Sequence, residues 1–176
     1  MYSKCGDILK SEEIFFELLN KNYKFDIITF SIMISNYGEH GKGDSSIKLF
    51  NLMKKYDIKP NEITFINLLI SCSHSNLINE GIKFFNDMEN EYHIKPNEIH
   101  ITCMIDLFGR SGNFEKAVEF ANQVPNYIIG WRTLLGSCRI YNNVEIGERA
   151  ANKLFLLEKY KEPYFIIKYL FTIKFI

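Results

Sequence analysis

Four cysteines (Cys5, Cys72, Cys103, Cys138) and four histidines (His40, His74, His93, His100) are the side chains best suited to metal or nucleophilic chemistry. Zinc sites and redox pairs need closely spaced cysteines, because two sulfurs must reach one ion or each other. No C-x-x-C pair occurs, and each cysteine falls within or at the end of an apolar helical run. They read as small buried core residues in a reducing compartment. The histidines are scattered between turns and helix starts. With no cysteine or carboxylate at catalytic spacing, none is assigned a role as acid, base or ligand. No catalytic residue, metal or cofactor is expected, and an enzyme is the least favoured class.

The remaining chemistry is recognition. Fifteen Phe and ten Tyr offer stacking surfaces. Most sit at helical spacing beside Leu and Ile, as at Phe84-Phe85, which is the pattern of a core. Lys54, Lys55, Lys59, Lys83 and Lys95 are candidates for phosphate contact, although charges on such helices are usually solvated outer faces. The formal net charge is zero. That argues against strong non-specific nucleic-acid binding, which needs an excess of cations to release counterions, but leaves room for a local basic stripe. At 176 residues, 47% hydrophobic and 24% charged, the chain is long enough and apolar enough for a real core. The apolar run 164–176 is interrupted by Lys168 and Lys174 and is shorter than the roughly 20 residues of a membrane span. It is expected to be a terminal helix or capping element, and no membrane partner is expected. No N-terminal signal peptide is visible.

The elements that would position these groups repeat. Ile58-Lys59-Pro60-Asn61-Glu62-Ile63 recurs as Ile94-Lys95-Pro96-Asn97-Glu98-Ile99, 36 residues on. Each marker is followed by an apolar run, a small polar break and a second amphipathic run. The breaks are Ser73-His74-Ser75-Asn76 and Gly109-Arg110-Ser111-Gly112-Asn113. The segment before the first marker has the same form, breaking at Gly38-Glu39-His40-Gly41-Lys42-Gly43, and the pattern returns after Trp131. Apolar spacings of three and four within the second runs are those of one helix face. The breaks carry the glycine or asparagine that a helix end in left-handed backbone requires. Asn61 and Asn97 are placed to cap the following helix, with Glu62 and Glu98 in its first turn. Each unit is thus a helical hairpin of about 35 residues that must stack on its neighbours to bury its apolar faces. The expected fold is all-α, a right-handed solenoid of antiparallel helical hairpins.

A hairpin of this length ending in Ile-Lys-Pro-Asn resembles the pentatricopeptide repeat (PPR). The tetratricopeptide repeat stands second, because its Trp, Leu-Gly and Tyr spacing is missing from the first helices. The resemblance extends to the plant-type PLS subgroup, in which repeats of differing length alternate. It is carried by Met1-Tyr2-Ser3-Lys4-Cys5-Gly6-Asp7, by the run from Leu69 to Leu77, and by Cys103-Met104-Ile105-Asp106-Leu107-Phe108-Gly109-Arg110-Ser111-Gly112. Trp131-Arg132-Thr133-Leu134-Leu135-Gly136-Ser137-Cys138-Arg139 and Glu145-Ile146-Gly147-Glu148-Arg149-Ala150-Ala151 resemble the E-type extension, in which Trp131 looks like a core residue. The resemblance implies an incomplete repeat at 1–26 and repeats at 27–61, 62–97 (long type) and 98–128 (short type). The E-type extension and a C-terminal helix follow at 129–176. Two departures stand out. The first helix of the first repeat is missing, and the stretch from Pro125 to Trp131 is slightly shorter than the family pattern. The His-x-Glu and Cys-x-x-Cys of the family's deaminase domain do not occur either. The chain looks like a fragment, a truncated gene model or a decaying copy.

In that family the fifth and last residues of each repeat read a base edge, and the second packs on the base. Carried over, Ser31 and Asn61 form one reading pair, which resembles the family's preference for adenine, with Ile28 against the base. The next repeat pairs Ile66 with Asn97, and an isoleucine cannot read an edge, so this repeat is expected to be a weak or silent reader. The third offers Thr102 with no clear partner. On the residues alone, Ser31 and Thr102 are equally small polar residues of a helix face, and Asn61 and Asn97 are caps. The implied function is sequence-specific binding of single-stranded RNA, not DNA, in a mitochondrion or plastid, the mitochondrion favoured. The protein would support RNA processing or C-to-U editing, with a trans-acting deaminase or editing factor docking on the E-type extension. The alternatives are a protein-interaction scaffold and a truncated copy without independent activity.

Overall fold

The computed structural model describes residues 8–21 and 23–158. Among them lie nine α-helices and no strand: α1 (Ile8–Asn20), α2 (Ile27–Glu39), α3 (Gly43–Lys55), α4 (Glu62–His74), α5 (Ile78–Asn90), α6 (Glu98–Arg110), α7 (Phe114–Gln123), α8 (Ile128–Ile140) and α9 (Val144–Glu158). The stretch 1–7 and the apolar run 164–176 lie outside the described residues. No helix among those described is long and apolar enough to cross a membrane.

The local chemistry sets the helix bounds. Asp26, Asn61 and Asn97, all in extended backbone, precede α2, α4 and α6. Their side-chain oxygens accept the N–H groups of Thr29 (2.9 Å), Thr64 (3.0 Å) and His100 (3.3 Å). Each cap thereby satisfies an amide that the helix itself leaves unpaired. At the far end the backbone turns left-handed at Gly41, Asn76, Gly112 and Asn142, with φ of 66°, 55°, 76° and 52°. Tyr37, Cys72, Phe108 and Cys138 then each accept, at 2.9 Å, the N–H five residues on. This closure joins the two helices of every hairpin and is why the breaks carry glycine or asparagine.

The described chain forms two compact units, Met1–Lys95 and Pro96–Ile176. In the first, α2 packs against α3 and α4, and α4 against α5. Phe30, Ile34, Met53, Phe65, Leu68, Leu69 and Met88 are fully buried there. Phe50 meets Phe65 and Phe84 edge-on, with ring centroids 5.9 and 5.4 Å apart. The aromatic residues are thus largely core. Small residues let the first helices touch: a Cβ on Gly38 would lie 3.0 Å from Ser71 Cβ and 3.1 Å from its Cα. Buried hydroxyls bond across this seam, Ser71 to Ser46 (2.7 Å) and Ser46 to the Ile34 carbonyl (3.1 Å). Among the described residues of the second unit, α6 packs against α7 and α8, and α8 against α9. Here Gly109 abuts Ser137, and Trp131 is buried with its indole N–H on the Pro125 carbonyl (3.1 Å). Ahead of Pro125, α7 has 10 residues where α3 and α5 have 13. A turn from Val124 to Tyr127 (3.0 Å) leads into α8, which starts at Ile128, ahead of Trp131.

Candidate nucleic-acid interface

Between α2 and α4 lies an open cleft of about 250 Å³, lined by Ile28, Ser31 and Ile32 from α2 and by Asn61, Ile63 and Asn67 from the second hairpin. Three of the residues singled out from sequence, Ser31, Asn61 and Ile28, therefore meet in one place. Ile28 and Ile63, each the second residue of its helix, are 63% and 58% exposed. Two such side chains flanking a cleft in water offer apolar walls for a flat ligand.

The polar groups between these walls are wired in one direction. Thr64, fully buried, donates its hydroxyl to Asn61 Oδ1 (3.1 Å). Its single hydrogen is thereby used, so Ser31, 3.2 Å away, is the donor to Thr64 Oγ1. Asn61 Oδ1 also takes the Thr64 amide (3.0 Å), and the Asn61 N–H reaches back to Thr64 Oγ1 (3.3 Å). What remains for a ligand is complementary: lone pairs on Ser31 Oγ and the N–H donors of Asn61 Nδ2. Asn61 is exposed, whereas Ser31 is buried at the floor.

The other predicted readers are arranged differently. Ile66 is half-buried and is not among the residues lining this cleft. Asn97 lines a second, wider cleft of about 650 Å³ with Ile99, Ile101 and the 123–127 turn. Its Oδ1 accepts from the amides of Ile99 (3.0 Å) and His100 (3.3 Å) and lies 2.7 Å from His100 Nδ1. Thr102 is not among the residues lining that cleft and donates to the Glu98 carbonyl of its own helix (2.8 Å). The reason is across from it. The third residue of α4 is Thr64, which engages Ser31, but the third of α8 is Gly130, which offers no side-chain partner. The cap before α8 is Tyr127, which makes no side-chain cap bond.

The candidate phosphate-binding lysines divide. Lys54 pairs with Glu91 (3.0 Å) and lies over the Phe50 and Tyr92 rings, and Lys83 pairs with Asp87 (2.8 Å). Lys55, Lys59 and Lys95 are exposed. Burial pushes the thiols of Cys72 and Cys103 up to about 12 and that of Cys138 up to about 11. All three are buried free thiols, and Cys5 lies outside the described residues. Among the described residues no group of three or more His, Cys, Asp or Glu is placed to hold a metal ion. Sequence reasoning missed Ile63 and Asn67 as cleft residues, and the buried Thr64 that links Ser31 to Asn61. The available signal was polarity: Asn67 interrupts the apolar run from Phe65 to Ile70 on a helix otherwise built for burial.

Comparison with known proteins agrees with this architecture. The PPR repeat family model matches residues 26–74, and the PPR repeat model matches 63–92 and 100–123. A chloroplastic pentatricopeptide repeat-containing protein of Arabidopsis thaliana, DOT4, is 38% identical over 169 residues, covering 95% of this chain and 19% of that protein. A mitochondrial pentatricopeptide repeat-containing protein of the same plant is 40% identical over 161 residues, covering 90% and 17%. Among solved structures, maize PPR10 superposes with a TM-score of 0.80 at 19% identity, over 97% of this chain and 25% of that one. PPR10 has also been crystallised in complex with an 18-nt psaJ RNA element. The chain belongs to the pentatricopeptide repeat family. It spans about a fifth of the length of the curated relatives it matches first.

Proposed function

We propose that this chain is a segment of an organellar RNA-binding protein and that the cleft between α2 and α4 seats one base of single-stranded RNA. The observation carrying this reading is the hydrogen-bond chain Ser31, Thr64, Asn61 between the exposed walls Ile28 and Ile63. It leaves an acceptor on Ser31 and donors on Asn61, which match the N6 amine and N1 of adenine on its Watson–Crick edge. Apolar walls on either face supply stacking without regard to base identity. The RNA complex of PPR10 supports the ligand class, and the chloroplastic and mitochondrial names of the relatives support an organelle.

The finer readings rest on sequence resemblance. The repeats run 27–61, 62–97 and 98–128 within a PLS-type array. The stretch from position 129 onward belongs to an E-type extension, where a trans-acting deaminase or editing factor docks to support C-to-U editing. Ile66 carries no polar group and Thr102 is tied to its own helix, so both are weaker readers than Ser31. The site is tested by titrating the chain with short RNAs that differ at one base, at low and at physiological salt. Binding should weaken with salt, favour adenine at one position, and lose that preference in Ser31→Asn. Salt-independent binding of an amphipathic peptide, with no response to RNA, would favour the reading as a protein-interaction scaffold. The zero net charge is the feature on that side.

A further inference from the structure

The cleft between α2 and α4 contains one polar group that the pairing of Ser31 with Asn61 leaves unused. Asn67, the sixth residue of α4, lines the cleft and donates from Nδ2 to the Ser31 carbonyl at 3.0 Å. That bond fixes the orientation of the carboxamide, because a carbonyl accepts and only the nitrogen can donate. Among the described residues, Oδ1 and the second N–H of Asn67 have no protein partner. Asn67 is half-buried, so its carboxamide is held on the cleft wall and not loose in solvent. The sixth residues of the other first helices differ: Ile32 is apolar, Cys103 is a buried thiol and Thr133 is a hydroxyl. Only α4 places an amide there.

We infer that Asn67 is a third specificity-determining residue of this slot, engaging the Hoogsteen edge of adenine. The inference rests on the proposed seating of a base between Ile28 and Ile63. With Ser31 and Asn61 on the Watson–Crick edge, the other polar edge of a purine is the one left over. A carboxamide offers one acceptor and one donor side by side. Adenine answers with N6–H for Oδ1 and N7 for the remaining N–H. Guanine presents two acceptors on that edge, O6 and N7, and the pyrimidines have no N7. Adenine alone satisfies both halves of the amide. The same residue also anchors the Ser31 backbone, so reader and floor move together.

The test separates the two edges chemically. The 15N-labelled full chain is titrated with U-flanked RNA carrying one adenosine, or one 7-deazaadenosine, which lacks N7 but keeps the Watson–Crick edge. NMR follows the side-chain amide of Asn67 and the backbone of Ser31 and Asn61, so that weak binding is measured directly. Wild type should bind the deaza RNA about threefold to tenfold less tightly, the effect of one lost hydrogen bond. Asn67→Ala and Asn67→Ser should bind both RNAs alike, with α4 shown intact by the dispersion of its backbone signals. Equal binding of the two RNAs by wild type would overturn the inference while leaving an adenine preference, and with it the base slot, in place. A deaza penalty that survives in both variants would assign N7 to another group and overturn it as well. No shift with any RNA would remove the base slot and this inference together.

Discussion

At the residue scale, Thr64 holds the cleft together although it faces neither solvent nor ligand. It is fully buried, accepts from Ser31 and from the Asn61 amide, and donates to Asn61 Oδ1. Thr64→Val keeps the shape and removes all three bonds. It leaves the Ser31 hydroxyl on the cleft floor without its protein acceptor, and it should lower stability by about 1–3 kcal/mol in urea unfolding. It should also weaken any base preference, since Asn61 Oδ1 loses the hydroxyl donor and keeps the backbone amide of residue 64. The buried thiols make a separate prediction about pH. Cys72 and Cys103 are raised from 9.0 to about 12 by burial, so between these values the folded chain holds protons that the unfolded chain has released. Their contribution is fully present below pH 9 and is lost as pH rises toward 12. The buried Tyr37, pushed up to about 12 by desolvation and by Glu12, acts in the same direction. Urea midpoints should fall across that window, and Cys72→Ala should make the fall shallower.

At the scale of elements, the helices touch where a side chain is missing. A Cβ on Gly109 of α6 would meet Ser137 of α8 at its Oγ, and at its Cβ at 2.6 Å. Gly109→Ala should cost about 1–3 kcal/mol through overpacking. Ser137→Gly in the same chain should recover part of the loss, a coupling that a double-mutant cycle in thermal unfolding reads directly. The repeat markers Ile58 to Ile63 and Ile94 to Ile99 located the caps at Asn61 and Asn97, because capping chemistry is local. The left-handed residues were legible for the same reason. Asn67 and Thr64 were not, since what matters about them is a partner 36 or 33 residues away on another helix. Nor was the short turn before Trp131 resolved, because a helix can end early at little local expense, and α7 did. The pairing of Thr102 stayed open because it depends on Gly130, which contributes only what it lacks.

At the scale of the whole molecule, zero net charge limits how RNA can be held. Of the five candidate lysines, Lys54 and Lys83 already face carboxylates, which leaves Lys55, Lys59 and Lys95 to meet phosphates. For single strands each neutralised phosphate contributes a slope of roughly −0.7 to log K against log salt. A chain of this size should therefore show a shallow salt dependence, with a slope of about −1.4 to −2.1 when two or three phosphates are engaged. A steeper slope in a binding titration would place more cations at the interface than these three lysines.

Asn61 is both the cap of α4 and, on the proposed reading, the letter that meets the base. The two duties share one side chain, so the alphabet at this position is closed. Only residues that accept a helix amide at short reach, chiefly Asn, Asp, Ser and Thr, keep that amide satisfied by a side chain. Within that set a change of letter carries a change of meaning: Asp in place of Asn keeps an oxygen for the cap and turns the free group from donor to acceptor. Drift at such a position either stays inside a small vocabulary or leaves a helix start without its side-chain cap. Tyr127, which precedes α8 without a side-chain bond, shows the second outcome, and α8 still runs 13 residues. Recognition in this protein is thus written in a script whose spelling is policed by folding.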